Sequence, residues 1–123
     1  VAAIFSGQGS QYTYMFEDTA MNWPPMRTAI SEMDAHSDKV HAKGTPLVSQ
    51  LLYPREAYLS ELMPDHDKTL KNTLHAQPAT TAVAVGAFDI FAAAGFSPDF
   101  VSGHSLGELA ALYAAGVLDR EAA

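Results

Sequence analysis

The chain has 123 residues, 48% hydrophobic and 17% charged, so it can supply one packed core and does not read as disordered. Its net charge of −7, from 14 acidic and 7 basic side chains, leaves no basic patch to neutralise phosphates, which argues against nucleic acid and against docking on an anionic membrane. Cysteine is absent, which excludes disulfides, thiolate metal sites and a cysteine nucleophile.

The opening run Val1-Ala2-Ala3-Ile4-Phe5 has no signal-peptide pattern. It is a short apolar segment stopped by Ser6-Gly7-Gln8-Gly9-Ser10, as expected of a buried parallel strand leading into a tight loop. Asn22-Trp23-Pro24-Pro25 signals a turn and helix entry, and the stretch from Met26 to Ser37 places Met26, Ala29, Ile30 and Met33 on one helical face. From Asp38 to Pro64 the pattern weakens. Gly44-Thr45-Pro46 and Tyr53-Pro54 punctuate it, Glu56 to Met63 offers one short helix, and the whole reads as surface connection. Asp67 to Leu74 suggests a further helical turn or two.

A long helix is expected from Pro78, where the missing N–H suits a first turn, to Ala94, with Gly95 as its stop. Its nearly apolar part, Ala82 to Phe96, is interrupted by Gly86 and Asp89 and is too short to span a bilayer, so no membrane insertion is expected. Pro98-Asp99 leads into a strand at Phe100-Val101, and Glu108 to Ala115 reads as the next helix, ended by Gly116. Asp119 is placed to cap another helix starting at Arg120. The expected fold class is α/β, a short parallel sheet flanked by helices. Residues 1–123 read as the N-terminal part of a single truncated domain, in a soluble, cytoplasmic setting.

Chemistry concentrates at Gly103-His104-Ser105-Leu106-Gly107, a Gly-x-Ser-x-Gly set between strand and helix. In such an elbow the turn is tight enough to strain the serine backbone, and the small neighbours give it room. The hydroxyl is presented at the positive end of the following helix, and the N–H of Leu106 is a natural donor to an oxyanion. Gly7-Gln8-Gly9-Ser10-Gln11 sits after the first strand. Loops at the carboxyl ends of parallel strands gather on one edge, so if the two strands are neighbours the Gln8 N–H becomes a second donor beside Ser105. By itself that segment is equally a polar glycine turn.

These segments, in this order and with Gln77-Pro78-Ala79 between them, resemble the acyl-carrier-protein acyltransferases: malonyl-CoA transacylases and the acyltransferase domains of polyketide and fatty acid synthases. Leu51-Leu52-Tyr53-Pro54 and His75-Ala76-Gln77-Pro78 look most like the acyltransferase domains of polyketide-like polyunsaturated fatty acid synthases. The resemblance implies an α/β-hydrolase-like core of which this is a part. It implies Ser105 as acylated nucleophile, Gln8 and Leu106 as oxyanion hole, and Gln77 near the acyl group. A helix-capping role for Gln77 is an equal reading. His104 adjoins Ser105, where neighbouring side chains diverge, so it is a pocket wall at best.

The implied reaction moves a malonyl or related acyl group from coenzyme A, through an acyl-serine, to the phosphopantetheine thiol of an acyl carrier protein. No metal or bound cofactor is implied, and the partners are the carrier protein, the acyl-CoA and other synthase domains. The family's catalytic histidine and carboxylate-binding arginine fall beyond Ala123. His36, His41, His66 and His75 match no motif for the base and read as surface or loop residues, and Glu17, Asp18, Glu56, Glu61, Asp65 and Asp67 as a solvated face. Two other readings stand beside this one: a serine hydrolase of the α/β-hydrolase kind, and a non-catalytic interaction fragment.

Overall fold

A computed structural model of the chain describes residues 1–55 and 66–123, and the short helix expected over Glu56 to Met63 lies outside the described residues. The elements in order are β1 (Ala2–Phe5), α1 (Glu17–Asn22), α2 (Pro24–Val40), α3 (Val48–Leu52), α4 (His66–Leu70), α5 (Thr73–Ala93), β2 (Phe100–Gly103) and α6 (Gly107–Ala114). The strands pair in parallel, in register from Ala2 opposite Phe100 to Phe5 opposite Gly103. The α/β class read from the sequence is the observed one.

Helix α5 organises the interior. Its apolar residues run all round rather than along one stripe, which is the pattern of a helix covered on more than one side. On one side Ala79, Ala82 and Val83 join Met26 and Ile30 of α2 and Val48, Leu51 and Leu52 of α3 in the larger core. On another, Ala84 and Phe88 meet Phe5 of β1 and Ala110 and Ala111 of α6. Gly86, one interruption of the apolar stretch, is where α2 and α5 touch. A Cβ there would stand 2.7 Å from Met26 Sδ and 3.1 Å from Met26 Cα, so no side chain fits without moving α2. Among the described residues no helix is long and apolar enough to cross a membrane.

Three sequence expectations are corrected. Helix α5 begins at Thr73, not at Pro78: the Asn72 side chain caps it by accepting from the Leu74 N–H at 3.1 Å, and Pro78 lies inside the helix. The capping reading of Gln77 therefore falls, since Gln77 sits within the second turn. The span from Asp38 to Pro64 is not wholly surface connection, because Val48 and Leu52 of α3 are 1% and 0% exposed. Helix α1 is an addition that no pattern announced.

The segment after the first loop is pinned to the end of α3. Tyr14 donates its N–H to the Leu52 carbonyl at 2.7 Å and its hydroxyl to the Pro54 carbonyl at 2.7 Å, while the Tyr53 hydroxyl donates to the Met15 carbonyl at 2.9 Å. Burial, with a smaller push from the Glu17 carboxylate, raises the Tyr53 phenol to about 12. A raised phenol pKa gives stability that is complete below the unfolded value near 10 and lost as pH rises through the folded one.

Two outcomes follow from this packing. Gly86→Val is expected to destabilise the fold by about 1–3 kcal/mol through overpacking, read from the urea midpoint. Tyr53→Phe should cost about 0.5–1.5 kcal/mol at neutral pH through the lost hydrogen bond, and should flatten the fall in stability between pH 10 and about 12. An unchanged alkaline limb in that variant would assign the fall to another group.

Candidate active site

The two loops leaving the carboxyl ends of β1 and β2 lie against each other, and glycines make this possible. His104 continues the ladder by donating its N–H to the Phe5 carbonyl at 3.1 Å. A Cβ on Gly7 would stand 2.5 Å from the His104 carbonyl oxygen, one on Gly103 would stand 2.1 Å from the Gly107 carbonyl oxygen, and one on Gly107 would stand 2.4 Å from the Phe5 carbonyl oxygen. Every one of these obstacles is backbone, which cannot swing aside. Both glycines of the Gly-x-Ser-x-Gly set are thus required by contact, as is the first glycine of the Gly-Gln-Gly loop.

Ser105, between them, has φ of 54°, in the left-handed region that costs a non-glycine residue about 1–2 kcal/mol. It is solvent-exposed, and its hydroxyl has no protein partner among the described residues. Leu106 forms the N-cap of α6, and the first turn closes through Gly107 N–H to the His104 carbonyl at 3.0 Å and Glu108 N–H to the Ser105 carbonyl at 3.0 Å. The N–H groups of Gln8 and Leu106 donate to no acceptor among the described residues.

The Gly-Gln-Gly loop is shaped by its own polar side chains. Ser10 Oγ donates to the Gly7 carbonyl at 2.9 Å, Gly9 N–H donates to Gln11 Oε1 at 2.8 Å, and Gly9 has φ of 108°. The Gln8 side chain reaches away to Thr73 Oγ1 at 3.1 Å, tying the loop to the start of α5. Gln11 is buried, a role the sequence signalled only as the last letter of the motif.

Gln77 and Leu106 line one cleft of about 690 Å³ between α2, α5 and α6, together with Leu109, His36 and Arg120. Its size is that of a small-molecule pocket. The structure thereby brings Gln77 to the same cleft as the residue after Ser105. His104 does not line it. That side chain is exposed, with Nδ1 3.1 Å from where a Gly7 Cβ would stand, so it faces the first loop. His36 lies at the cleft on α2, while His41, His66 and His75 are partly buried and do not line it. Sequence reasoning missed Arg120 in the cleft. The described residues contain no cluster of three or more His, Asp or Glu able to hold a metal.

The acyl transferase domain family model matches residues 3–123. A polyunsaturated fatty acid synthase polypeptide of Thraustochytrium sp. is 57% identical over 98% of this chain. The chain belongs to the acyl transferase domain family. It spans only 4% of that relative. Among solved structures, MCAT from Streptococcus pneumoniae superposes with a TM-score of 0.79 at 29% identity, over 98% of this chain and 34% of that one. PlMCAT, a malonyl-transacylase solved in complex with the acyl-carrier protein AntF, gives 0.76 at 30% identity over the same shares. This member of the acyl transferase domain family therefore shares the fold of those two proteins over the part it spans.

Ser105→Gly is expected to raise stability by up to about 1 kcal/mol, because glycine adopts the left-handed conformation without strain. The same change should end any labelling at this position. A lower thermal midpoint for the glycine variant would show that the serine backbone is not strained.

Proposed function

We propose that this chain carries the nucleophile and oxyanion hole of an acyltransferase that moves a malonyl or related acyl group from coenzyme A to an acyl carrier protein. The observation that carries the reading is the left-handed Ser105 on the β2–α6 turn, pressed against the loop of the adjacent parallel strand. Family membership supports acyl transfer, and the likeness to a malonyl-transacylase solved in complex with its acyl-carrier protein supports a malonyl group and a carrier-protein acceptor.

In the first step Ser105 Oγ attacks the thioester carbonyl, the C–S bond breaks, and coenzyme A leaves as the thiol. The negative oxygen of the tetrahedral intermediate is held by the Gln8 and Leu106 N–H groups, at the positive end of α6. In the second step the phosphopantetheine thiol of the carrier attacks the acyl-serine, the C–O bond breaks, and the serine hydroxyl is restored. Gln77 borders the acyl group in the cleft it shares with Leu106, whereas His104, turned toward Gly7, takes no part in lining that cleft. A serine hydroxyl needs a base to take its proton. The reading assigns that base, and the arginine for a malonyl carboxylate, to further residues of a longer acyltransferase domain, consistent with solved neighbours of which this chain spans about a third. The chemistry calls for no metal or redox group, and it belongs in the cytoplasm, where coenzyme A thioesters and carrier proteins meet.

The test uses the parent protein, labelled malonyl-CoA and carrier protein bearing phosphopantetheine. Label is expected on the peptide containing Ser105, and it should chase to the carrier thiol and vanish in Ser105→Ala. Release of the acyl group to water at the same rate with and without carrier would make the protein a hydrolase instead. Rapid multiple turnover by the isolated 123 residues would overturn the assignment of the base to other segments.

A further inference from the structure

Asp89 is the one carboxylate of α5, near its C-terminal end, and Arg120 lines the Gln77–Leu106 cleft. The two meet. Arg120 Nη2 donates to Asp89 Oδ2 and, at 3.3 Å, contacts the Tyr113 hydroxyl, while Nη1 donates to Glu32 Oε2 of α2 at 2.9 Å. Asp89 Oδ1 accepts from the Tyr113 hydroxyl at 2.7 Å, and the guanidinium stands 5.9 Å over the Tyr113 ring. Both Asp89 oxygens are thereby used, with the Asp89 side chain 15% and the Arg120 side chain 32% exposed.

We infer that Arg120, clamped by Asp89 and Glu32 against Tyr113, is a positioning residue that fixes helix α6 and so aims Ser105 and Leu106; the inference rests on Ser105 being the nucleophile. Tyr113 is in the last turn of α6, and the elbow is at its first. The contacts also return to the elbow by a second route: Tyr113 packs edge-on to Phe88 at 6.3 Å, and Phe88 edge-on to Phe5 at 6.0 Å. The Phe5 carbonyl is the atom against which Gly107 rests. Helix α6 is therefore held at both ends. An eight-residue helix is about 12 Å long, so a tilt of about 5° displaces one end by about 1 Å. Misplacement on that scale is enough to lose one to two orders of magnitude in rate.

The alternative use of Arg120, as receiver of a ligand carboxylate in the cleft, is opposed by its charge balance. Two carboxylates already share one guanidinium, so an incoming carboxylate must displace Asp89 or Glu32.

The experiment compares Arg120→Ala, Arg120→Lys, Asp89→Asn and Glu32→Gln in the parent protein, by amide hydrogen exchange and by steady-state transfer of labelled malonyl groups. Arg120→Ala and Asp89→Asn are expected to speed exchange in peptides spanning 104–113 by about tenfold, with α2 and β1 peptides unchanged. They should lower kcat about tenfold with KM within twofold, because the fault is aim rather than binding. Arg120→Lys should fall between, and Glu32→Gln, at the exposed contact, should stay near wild type. The Arg120→Ala/Asp89→Asn pair should be no slower than either single variant. Unchanged exchange at the elbow, uniform acceleration across all peptides, or a rise in KM alone would each overturn the inference. Faster elbow exchange in a protein that never acylates Ser105 would uphold the clamp and overturn the acyl-transfer reading.

Discussion

Gly107 rests on the Phe5 carbonyl, Gly103 on the Gly107 carbonyl, and Gly7 on the carbonyl of His104. These three backbone contacts, each closer than any side chain allows, hold the first loop, the end of β2 and the start of α6 as one body. They depend in turn on the parallel register that sets Phe5 opposite Gly103. A slip of one residue would reverse the faces of four-residue strands and separate the glycines from the carbonyls they accommodate. The strained Ser105 backbone persists because everything around it is fixed by these contacts.

Helix α5 connects this body to the rest of the chain. It packs on α2 and α3 with one side, on the sheet and α6 with another, and takes the side chain of Gln8 at its first residue. Its two interruptions, Gly86 and Asp89, are where neighbouring elements are attached, one by close approach and the other by charge. One glycine and one carboxylate thus mark where α2 and α6 meet this helix.

The elbow was legible in the sequence because its determinants are local: an apolar run, two glycines and a serine at fixed spacing, then a helix. The adjacency of β1 and β2 was not, since nothing in two four-residue strands specifies their partner. Pro78 misled as a helix start because a first-turn proline is common, whereas here Asn72 supplies a cap and the buried Ala76 holds the earlier turn against the core. Helix α3 was missed because five residues are too few to display a period, and its stability comes from burial of Val48, Leu51 and Leu52. The Arg120–Asp89 pair was invisible because the two residues lie on separate elements whose packing no pattern gives.

The pairing of β1 with β2 also orders events in time. Strand β1 is made well before its partner, which begins only at Phe100. At ordinary rates of synthesis the apolar Ala2–Phe5 edge then waits about 5–20 s before β2 exists to cover it. Helices α2, α3 and α5 build the larger core without a residue of either strand, so that core need not wait for the sheet. The elbow, which requires both strands and α6, is thus the last part of the described fold to assemble, and the nascent chain has a core before it has a site.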